Sequence, residues 1–309
     1  MMSAARSSSH PLDPHLLNDL RQELNTTITV CLPAKNEEAT VGQIVASVRR
    51  NLMEKTGLIG EVVVMDDNST DGTAEAAQWE GAKVFRVSEV LPALPPGTGK
   101  GNALWLSLAV TEGDIICWID ADVRNFQPHF VTGLIEPLLR DSAVQLVKGY
   151  YRRPLHGEPS GGGRVTELLA RPVISALFGE LTGIIQPLSG EYAGRRSQLE
   201  AIPFVESWGV ELGLLIDIAQ QSGVDAIAQA DLGVREHRNR NLDELGPQAM
   251  EVLVTALRRT GLDPERIGTQ LARFTADYDP SFVTLETGER PPMNTVKAYQ
   301  EIRSRSARK

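Results

Sequence analysis

The sequence predicts an α/β fold, with a mainly parallel sheet flanked by helices. Three observations predict it. Short runs rich in β-branched residues alternate with helical stretches of roughly ten residues or more, the pattern of right-handed βαβ units. The runs Thr27–Leu32, Glu61–Met65 and Asp114–Ile119 are apolar and short, so they read as buried strands. Each is followed by a polar cluster (Pro33–Glu37, Asp66–Asp71 and Asp120–Asp122), and in parallel sheets ligands bind outside the carboxyl ends of the strands.

In order along the chain, residues 1–13 are Ser- and Ala-rich and read as a mobile arm, and a short helix is expected over Pro14–Leu24. The strand Thr27–Leu32 stops at Pro33, and a helix follows from about Thr40, because Val41, Ile44, Val45, Val48 and Leu52 share one face at helical spacing. The strand Glu61–Met65 leads to a helix over Thr73–Glu80 and a short strand at Lys83–Val87. After the Pro- and Gly-rich loop Leu91–Gly101 come a helix, Asn102–Val110, and the strand Asp114–Ile119. A helix at Pro128–Leu139 and a strand at Val144–Gly149 close this half. The second half is less regular. His156–Gly163 reads as a Gly-rich loop, Arg164–Glu180 as one helix and Gln186–Ala193 as extended or looped. Further helices are expected at Val210–Gln221 and Gly246–Thr260, with a strand at Val224–Ala228. The expected division is a flexible arm (1–13), a first half (14–150), a second half (151–281) and a C-terminal tail (282–309) that packs against a second subunit or moves.

Composition excludes several classes. The chain has 309 residues, 41% of them apolar and 23% charged, as in an ordinary globular protein. A net charge of −9 argues against a general nucleic-acid binder, which must neutralise phosphates, but leaves room for a local basic pocket. Cys31 and Cys117 both fall in expected buried strands, so no disulfide framework is expected and a reducing cytoplasm is the natural compartment. The first residues lack the apolar core of a signal peptide, and no stretch approaches the roughly 20 apolar residues that span a bilayer.

The strand-end clusters suggest chemistry. Asp120 and Asp122, separated by Ala121, would point to the same side of a strand, and paired acids there are relieved by a hard divalent cation such as Mg²⁺ or Mn²⁺. Alone, Asp-x-Asp is a weak signal; its level position with the two other clusters raises it. Glu37 is placed to accept from a base or ribose, Asp66 to hold a nucleoside, and Ser69–Gly72 to cap the next helix. Lys100, among glycines just before a helix, suits a phosphate or sugar-nucleotide contact, although Gly101 stands where a P-loop has Ser or Thr.

These clusters occur in the order LPAKNEE, DDNSTDG, GKGNALW and DAD, and in this the chain resembles the GT-A glycosyltransferases, with their Rossmann-like sheet. The second half is more specific. Gly149–Pro154 (GYYRRP), Gly161–Leu168 (GGGRVTEL), Gln186–Ala193 (QPLSGEYA), Trp208–Asp217 (WGVELGLLID) and Gly233–Gly246 (GVREHRNRNLDELG) resemble the retaining glucosyl-3-phosphoglycerate synthases. The resemblance covers roughly residues 28–250. It implies that Pro33, Ala34, Asn36, Glu37 and Asp66 contact the nucleoside and that Lys100 reaches the nucleotide or sugar. It implies Asp122 and His237 as ligands of Mg²⁺ or Mn²⁺, with Asp120 and Ala121 beside the ribose and sugar and Glu211 among the glycosyl hydroxyls. Gly163, Arg164, Thr166 and Asn239, together with Arg235, would receive 3-phosphoglycerate. An arginine behind three glycines fits that role, since backbone amides and a guanidinium can converge on one phosphate.

The implied reaction moves glucose from a nucleoside diphosphate, UDP-glucose foremost, to the 2-hydroxyl of 3-phosphoglycerate with retention. Glu211, Asp120 and the carbonyl of Leu188 are its candidate catalytic groups, and same-face attack is preferred to a double displacement. A cytoplasmic homodimer, binding neither nucleic acid nor membrane, is also implied, with a product destined for glucosylglycerate or methylglucose lipopolysaccharide. Asp66-Asp67-Asn68 and Trp208 depart from the family pattern, which leaves a mannosyl-3-phosphoglycerate synthase using GDP-mannose, or a dual-donor enzyme, as alternatives. A catalytically inert sugar-nucleotide binder is the alternative of another class.

Overall fold

A computed structural model describes residues 13–306 apart from 156–157, 162, 237–240, 275–276 and 286. The first half runs α1 (Pro14–Glu23), β1 (Ile28–Ala34), α2 (Glu38–Val48), β2 (Glu61–Asp66), α3 (Thr73–Trp79), β3 (Lys83–Arg86), α4 (Gly99–Val110), β4 (Ile115–Trp118), α5 (His129–Arg140) and β5 (Leu146–Arg152). A small hairpin, β6 (Pro154–Leu155) and β7 (Glu158–Gly161), follows, and then α6 (Arg171–Leu177), β8 (Tyr192–Arg195), α7 (Arg196–Leu199) and β9 (Phe204–Val205). The chain ends with α8 (Val210–Ser222), β10 (Ile227–Val234), α9 (Leu242–Arg258), β11 (Gln270–Phe274), β12 (Pro280–Thr284), β13 (Glu289–Arg290) and α10 (Lys297–Ser306).

Seven strands form one sheet in the order β10-β5-β8-β4-β1-β2-β3. All its pairings are parallel except those of β8, which lies antiparallel between β4 and β5. Alternation along the strands divides the core into two layers. Cys31, Val63, Met65, Ile116 and Trp118 face α4 and α8, whereas Val30, Leu32, Val62, Val64, Ile115 and Cys117 face α1, α2 and α5. The sheet crosses the expected boundary at residue 150, which falls inside β5, and the boundary at 281 falls inside β12.

Several expected elements change for identifiable reasons. β1 does not stop at Pro33: Pro33 pairs with Met65 and Ala34 with Asp66, because proline removes only one donor and tolerates a strand end. α4 starts at Gly99 rather than Asn102, so the expected loop glycines belong to a packed helix end. A Cβ on Gly101 would lie 1.7 Å from the Val205 carbonyl oxygen, and only glycine permits that approach. The single helix expected over Arg164–Glu180 is broken into a π turn (Thr166–Ala170), α6 and a 3₁₀ turn. Pro172, in the first turn of α6, cannot donate and crowds the preceding carbonyl, which widens the turn before it. The strand expected at Val224–Ala228 begins later and runs longer, as β10, because buried Gln229 is satisfied by the Ile185 N–H (2.7 Å) and the Gly183 carbonyl (3.1 Å). α9 starts at Leu242, four residues early, on a reciprocal cap between Asn241 and Glu244. In the tail, β13 pairs with β9. Among the described residues no helix is long and apolar enough to cross a membrane.

Candidate active site

A cavity of about 410 Å³ opens at the carboxyl ends of β1, β2 and β4, the edge at which the sequence placed its three clusters. Its wall includes Pro33, Ala34, Glu37, Lys100, Asp120, Ala121, Asp122, Gly163, Arg164, Thr166, Leu188, Glu211 and Arg235. Two of the expected nucleoside contacts, Asn36 and Asp66, are not on the cavity wall and bond within the strand-end loops. Asn36 adopts φ +58 and its Oδ1 accepts from the Thr70 N–H at 2.8 Å, tying the first loop to the second. Asp66 is 2% exposed and accepts from the Ser69 N–H, while its neighbour Asp67 lines the cavity. His237 and Asn239 lie outside the described residues.

The strand end of β4 delivers Asp120 and Asp122 to one cationic group. Nη2 of Arg235 donates to Asp120 Oδ2 and to Asp122 Oδ1, each at 2.8 Å. Behind it, Nε of Arg235 lies 2.7 Å from Oε1 of Glu191, which is fully buried. The sequence placed Arg235 with the acceptor. The structure sets it on the cavity wall against Asp120 and Asp122, with Glu191 on the far side of its guanidinium. On the other flank, Nζ of Lys100 sits between Asp120 Oδ1 (2.5 Å) and Glu211 Oε1 (2.7 Å). Burial opposes charge on Asp120, yet Lys100 and Arg235 outweigh it and hold the carboxyl well below its usual range. Burial likewise disfavours the Lys100 ammonium, but Asp120 and Glu211 keep it protonated. Gly190 makes this crowding possible, since a Cβ there would lie 2.0 Å from Asp120 Oδ2.

Two hard carboxylate oxygens that meet at one cation are a donor set suited to Mg²⁺ or Mn²⁺. Among the described residues no group of three His, Cys, Asp or Glu gathers there, and His237 would have to complete the set.

The loop before β8 carries Leu188 to the cavity and is held from below. Nζ of Lys148, 2% exposed, donates to the Ser189 carbonyl at 2.6 Å and lies 4.2 Å from the Tyr192 ring centroid. Burial pushes the Lys148 ammonium down to about 7. Unfolded, this lysine keeps its proton up to about 10.5, so between those values the unfolded chain binds more protons and stability rises with pH. Urea midpoints at pH 7, 8 and 9 should therefore show wild type gaining on Lys148→Met by up to about 1.4 kcal/mol per pH unit. A constant gap across that range would count against a neutral buried amine.

Opposite the acids, Gly163 (φ +81), Arg164 and Thr166 line the cavity beside Arg153, whose Nη2 donates to the Tyr151 hydroxyl at 2.8 Å. Sequence reading gave Arg153 no role of its own, although it lies inside the quoted Gly149–Pro154 motif. It also missed Leu245, Gln248 and Val252, which form a wall from α9. Their three- and four-residue spacing marked a helix face, but none carries a charge to mark a site.

The Glycosyl transferase family 2 model matches residues 29–197. The chain is 46% identical to the glucosyl-3-phosphoglycerate synthase of Mycolicibacterium smegmatis over 88% of its length and 90% of that protein. It superposes with a TM-score of 0.86, at 43% identity, on the Mycobacterium tuberculosis glucosyl-3-phosphoglycerate synthase in complex with Mn²⁺, uridine-diphosphate-glucose and phosphoglyceric acid, covering 94% of this chain and 98% of that one. The same enzyme in complex with Mg²⁺ and uridine-diphosphate gives the same TM-score, identity and coverage.

Proposed function

This chain belongs to glycosyl transferase family 2 and, within it, to the glucosyl-3-phosphoglycerate synthases, and on that premise we propose that it transfers glucose from UDP-glucose to the 2-hydroxyl of 3-phosphoglycerate with retention at the anomeric carbon. The observation that carries the reading is the meeting, in one cavity, of the Asp120–Lys100–Glu211 bridge with the Gly163–Thr166 loop. The first supplies oxygens for glycosyl hydroxyls; the second supplies amides and a guanidinium for a phosphate.

Asp122, with His237, would hold Mg²⁺ or Mn²⁺, and the cation, when bound, supplies Lewis-acid neutralisation of the leaving diphosphate. Pro33, Ala34, Glu37 and Asp67 border the nucleoside end, and Asp120 stands between ribose and sugar. Arg164, Thr166 and the Gly163 amide orient 3-phosphoglycerate so that its hydroxyl approaches the face the diphosphate leaves, near the carbonyl of Leu188. Glu211 is engaged by Lys100 at 2.7 Å, which lowers its nucleophilicity and favours same-face attack over a covalent glycosyl-enzyme. The acceptor proton then passes to a diphosphate oxygen as the new bond forms. A covalent sugar adduct trapped on Glu211 would sink this route.

The test is an activity panel of UDP-glucose, GDP-glucose and GDP-mannose against 3-phosphoglycerate and D-glycerate, with Mg²⁺, Mn²⁺ or EDTA. UDP-glucose with 3-phosphoglycerate and metal is expected to be the productive combination. Failure of 3-phosphoglycerate with every donor would overturn the function, and preference for GDP-mannose would transfer it to the mannosyl branch. A homodimer in the cytoplasm completes the reading. Phe274, Tyr278 and Phe282, all more than 60% exposed on the β11–β12 hairpin, offer apolar surface to a second copy, and Cys31 and Cys117 are buried free thiols. Sedimentation of a monomer at micromolar concentration would remove the dimer.

A further inference from the structure

The tail returns to the cavity's supports through a single side chain. Arg290 is 8% exposed, on a two-residue strand that pairs with β9. Its Nε lies 2.9 Å from Asn102 Oδ1, on the first turns of α4, and 2.8 Å from Glu206 Oε1, in the segment that leads into α8. Its Nη1 donates to the Pro95 carbonyl at 2.9 Å, and its guanidinium lies 5.2 Å from the Trp105 ring centroid. The next residue repeats the attachment, because the Pro291 carbonyl accepts from Trp105 Nε1 at 2.8 Å. α4 and the 205–207 segment also touch directly, through the Asn102 N–H to the Glu206 carbonyl at 2.8 Å.

These two elements are the ones that carry Lys100 and Glu211. Lys100 is on the first turn of α4, two residues before Asn102; Glu211 is on the first turn of α8, five residues after Glu206. The space around the bracket is filled: a Cβ on Gly97 would lie 1.9 Å from Nη2 of Arg290, and one on Gly288 2.1 Å from Glu206 Oε2. A guanidinium presents planar, directional donors to several acceptors at once, whereas a lysine in its place would offer only a point charge.

We propose that Arg290 is a positioning residue that brackets α4 to the start of α8 and thereby sets the Lys100–Glu211 separation in the glycosyl pocket. The inference rests on the glucosyl-transfer reading above. It concerns the sugar and not the nucleoside, because the residues bordering the nucleoside end stand on β1 or just past the ends of β1 and β2, away from Arg290's partners Asn102, Pro95, Glu206 and Trp105. A bracket of this kind acts through geometry, and misplacement by an ångström costs catalysis about 100-fold.

The experiment measures affinities for UDP and UDP-glucose by calorimetry with Mn²⁺ present, together with kcat and KM, in wild type, Arg290→Ala, Arg290→Lys and Glu206→Gln. In Arg290→Ala, affinity for UDP should stay within about twofold, while affinity for UDP-glucose and kcat each fall about 10- to 100-fold. Arg290→Lys and Glu206→Gln should show smaller losses of the same kind. UDP-glucose affinity and kcat at wild-type levels in Arg290→Ala would overturn the proposal. So would parallel loss of UDP and UDP-glucose affinity, the mark of a merely structural role. If Arg290→Ala does not fold, wild-type behaviour of both milder variants overturns it equally. A wild type that binds neither UDP nor UDP-glucose would instead defeat the reading of function, so the two failures are distinguishable.

Discussion

Replacing Lys100 by methionine is expected to lower kcat/KM for glucosyl transfer by about 10³-fold, equivalent to about 4 kcal/mol of transition-state stabilisation. The ammonium is the bridge between Asp120 and Glu211, with its side chain 11% exposed, and methionine keeps the length while removing the charge. Two carboxylates would then face each other across the sugar site, one of them buried to 4% exposure. Breaking a buried pair from one side leaves the other charge uncompensated, which costs more than the pair's own attraction. The expected loss therefore appears in both kcat and the KM for donor, while the dissociation constant for 3-phosphoglycerate, whose proposed contacts are Gly163, Arg164 and Thr166, changes little. Steady-state kinetics with donor and acceptor varied separately would check this. Activity within tenfold of wild type would show that the bridge is not part of the glycosyl pocket.

Arg235→Met is expected to be the most destabilising single change at the site, by about 3–5 kcal/mol, with the melting temperature lowered by roughly 10 °C. Its guanidinium contacts Asp120, Asp122 and Glu191 and is 3% exposed. Burial disfavours its charge, and the surrounding carboxylates more than restore it. Adding Glu191→Met to Arg235→Met should recover part of the loss, because a buried pair exchanged whole for apolar groups is often neutral. Saturating Mn²⁺ should also raise the variant's melting temperature by more than it raises that of wild type, since a cation would then take up the charge of Asp122. Melting curves with EDTA and with Mn²⁺ measure both effects. An Arg235→Met protein melting within 2 °C of wild type, by roughly a 1 kcal/mol criterion, would exclude the network from stability.

What the sequence revealed follows from what burial leaves visible. β1, β2 and β4 are covered on both faces, so their apolar runs stood out, and the acids that end β4 were legible with them. β8 and β10 were obscured because Glu191, just before β8, and Gln229, on β10, look like surface residues until their partners, Arg235 and Ile185, are brought beside them. The contact of Arg235 with Glu191 was hidden for the same reason: nothing in one dimension pairs the two. β13 is two residues long and depends on β9 more than eighty residues earlier, beyond any local pattern. The wall from α9 was readable as a helix and silent as a site.

The antiparallel strand β8 has a consequence for how the molecule assembles. β8 joins β4 and β5 into one sheet, and its register sets Trp118 opposite Tyr192 and Leu146 opposite Gly194. Both ladders close long stretches of chain, so their loop entropy has to be met before any contact rewards it. β1, β2 and β3, joined by local βαβ connections, can pair well before that. The Leu188 loop, the Lys148 support beneath it and the Glu191 contact to Arg235 all depend on β8 being in place. In a refolding experiment, nucleotide affinity would thus return ahead of acceptor affinity, and substitutions in β8 would raise the unfolding rate more than they slow folding.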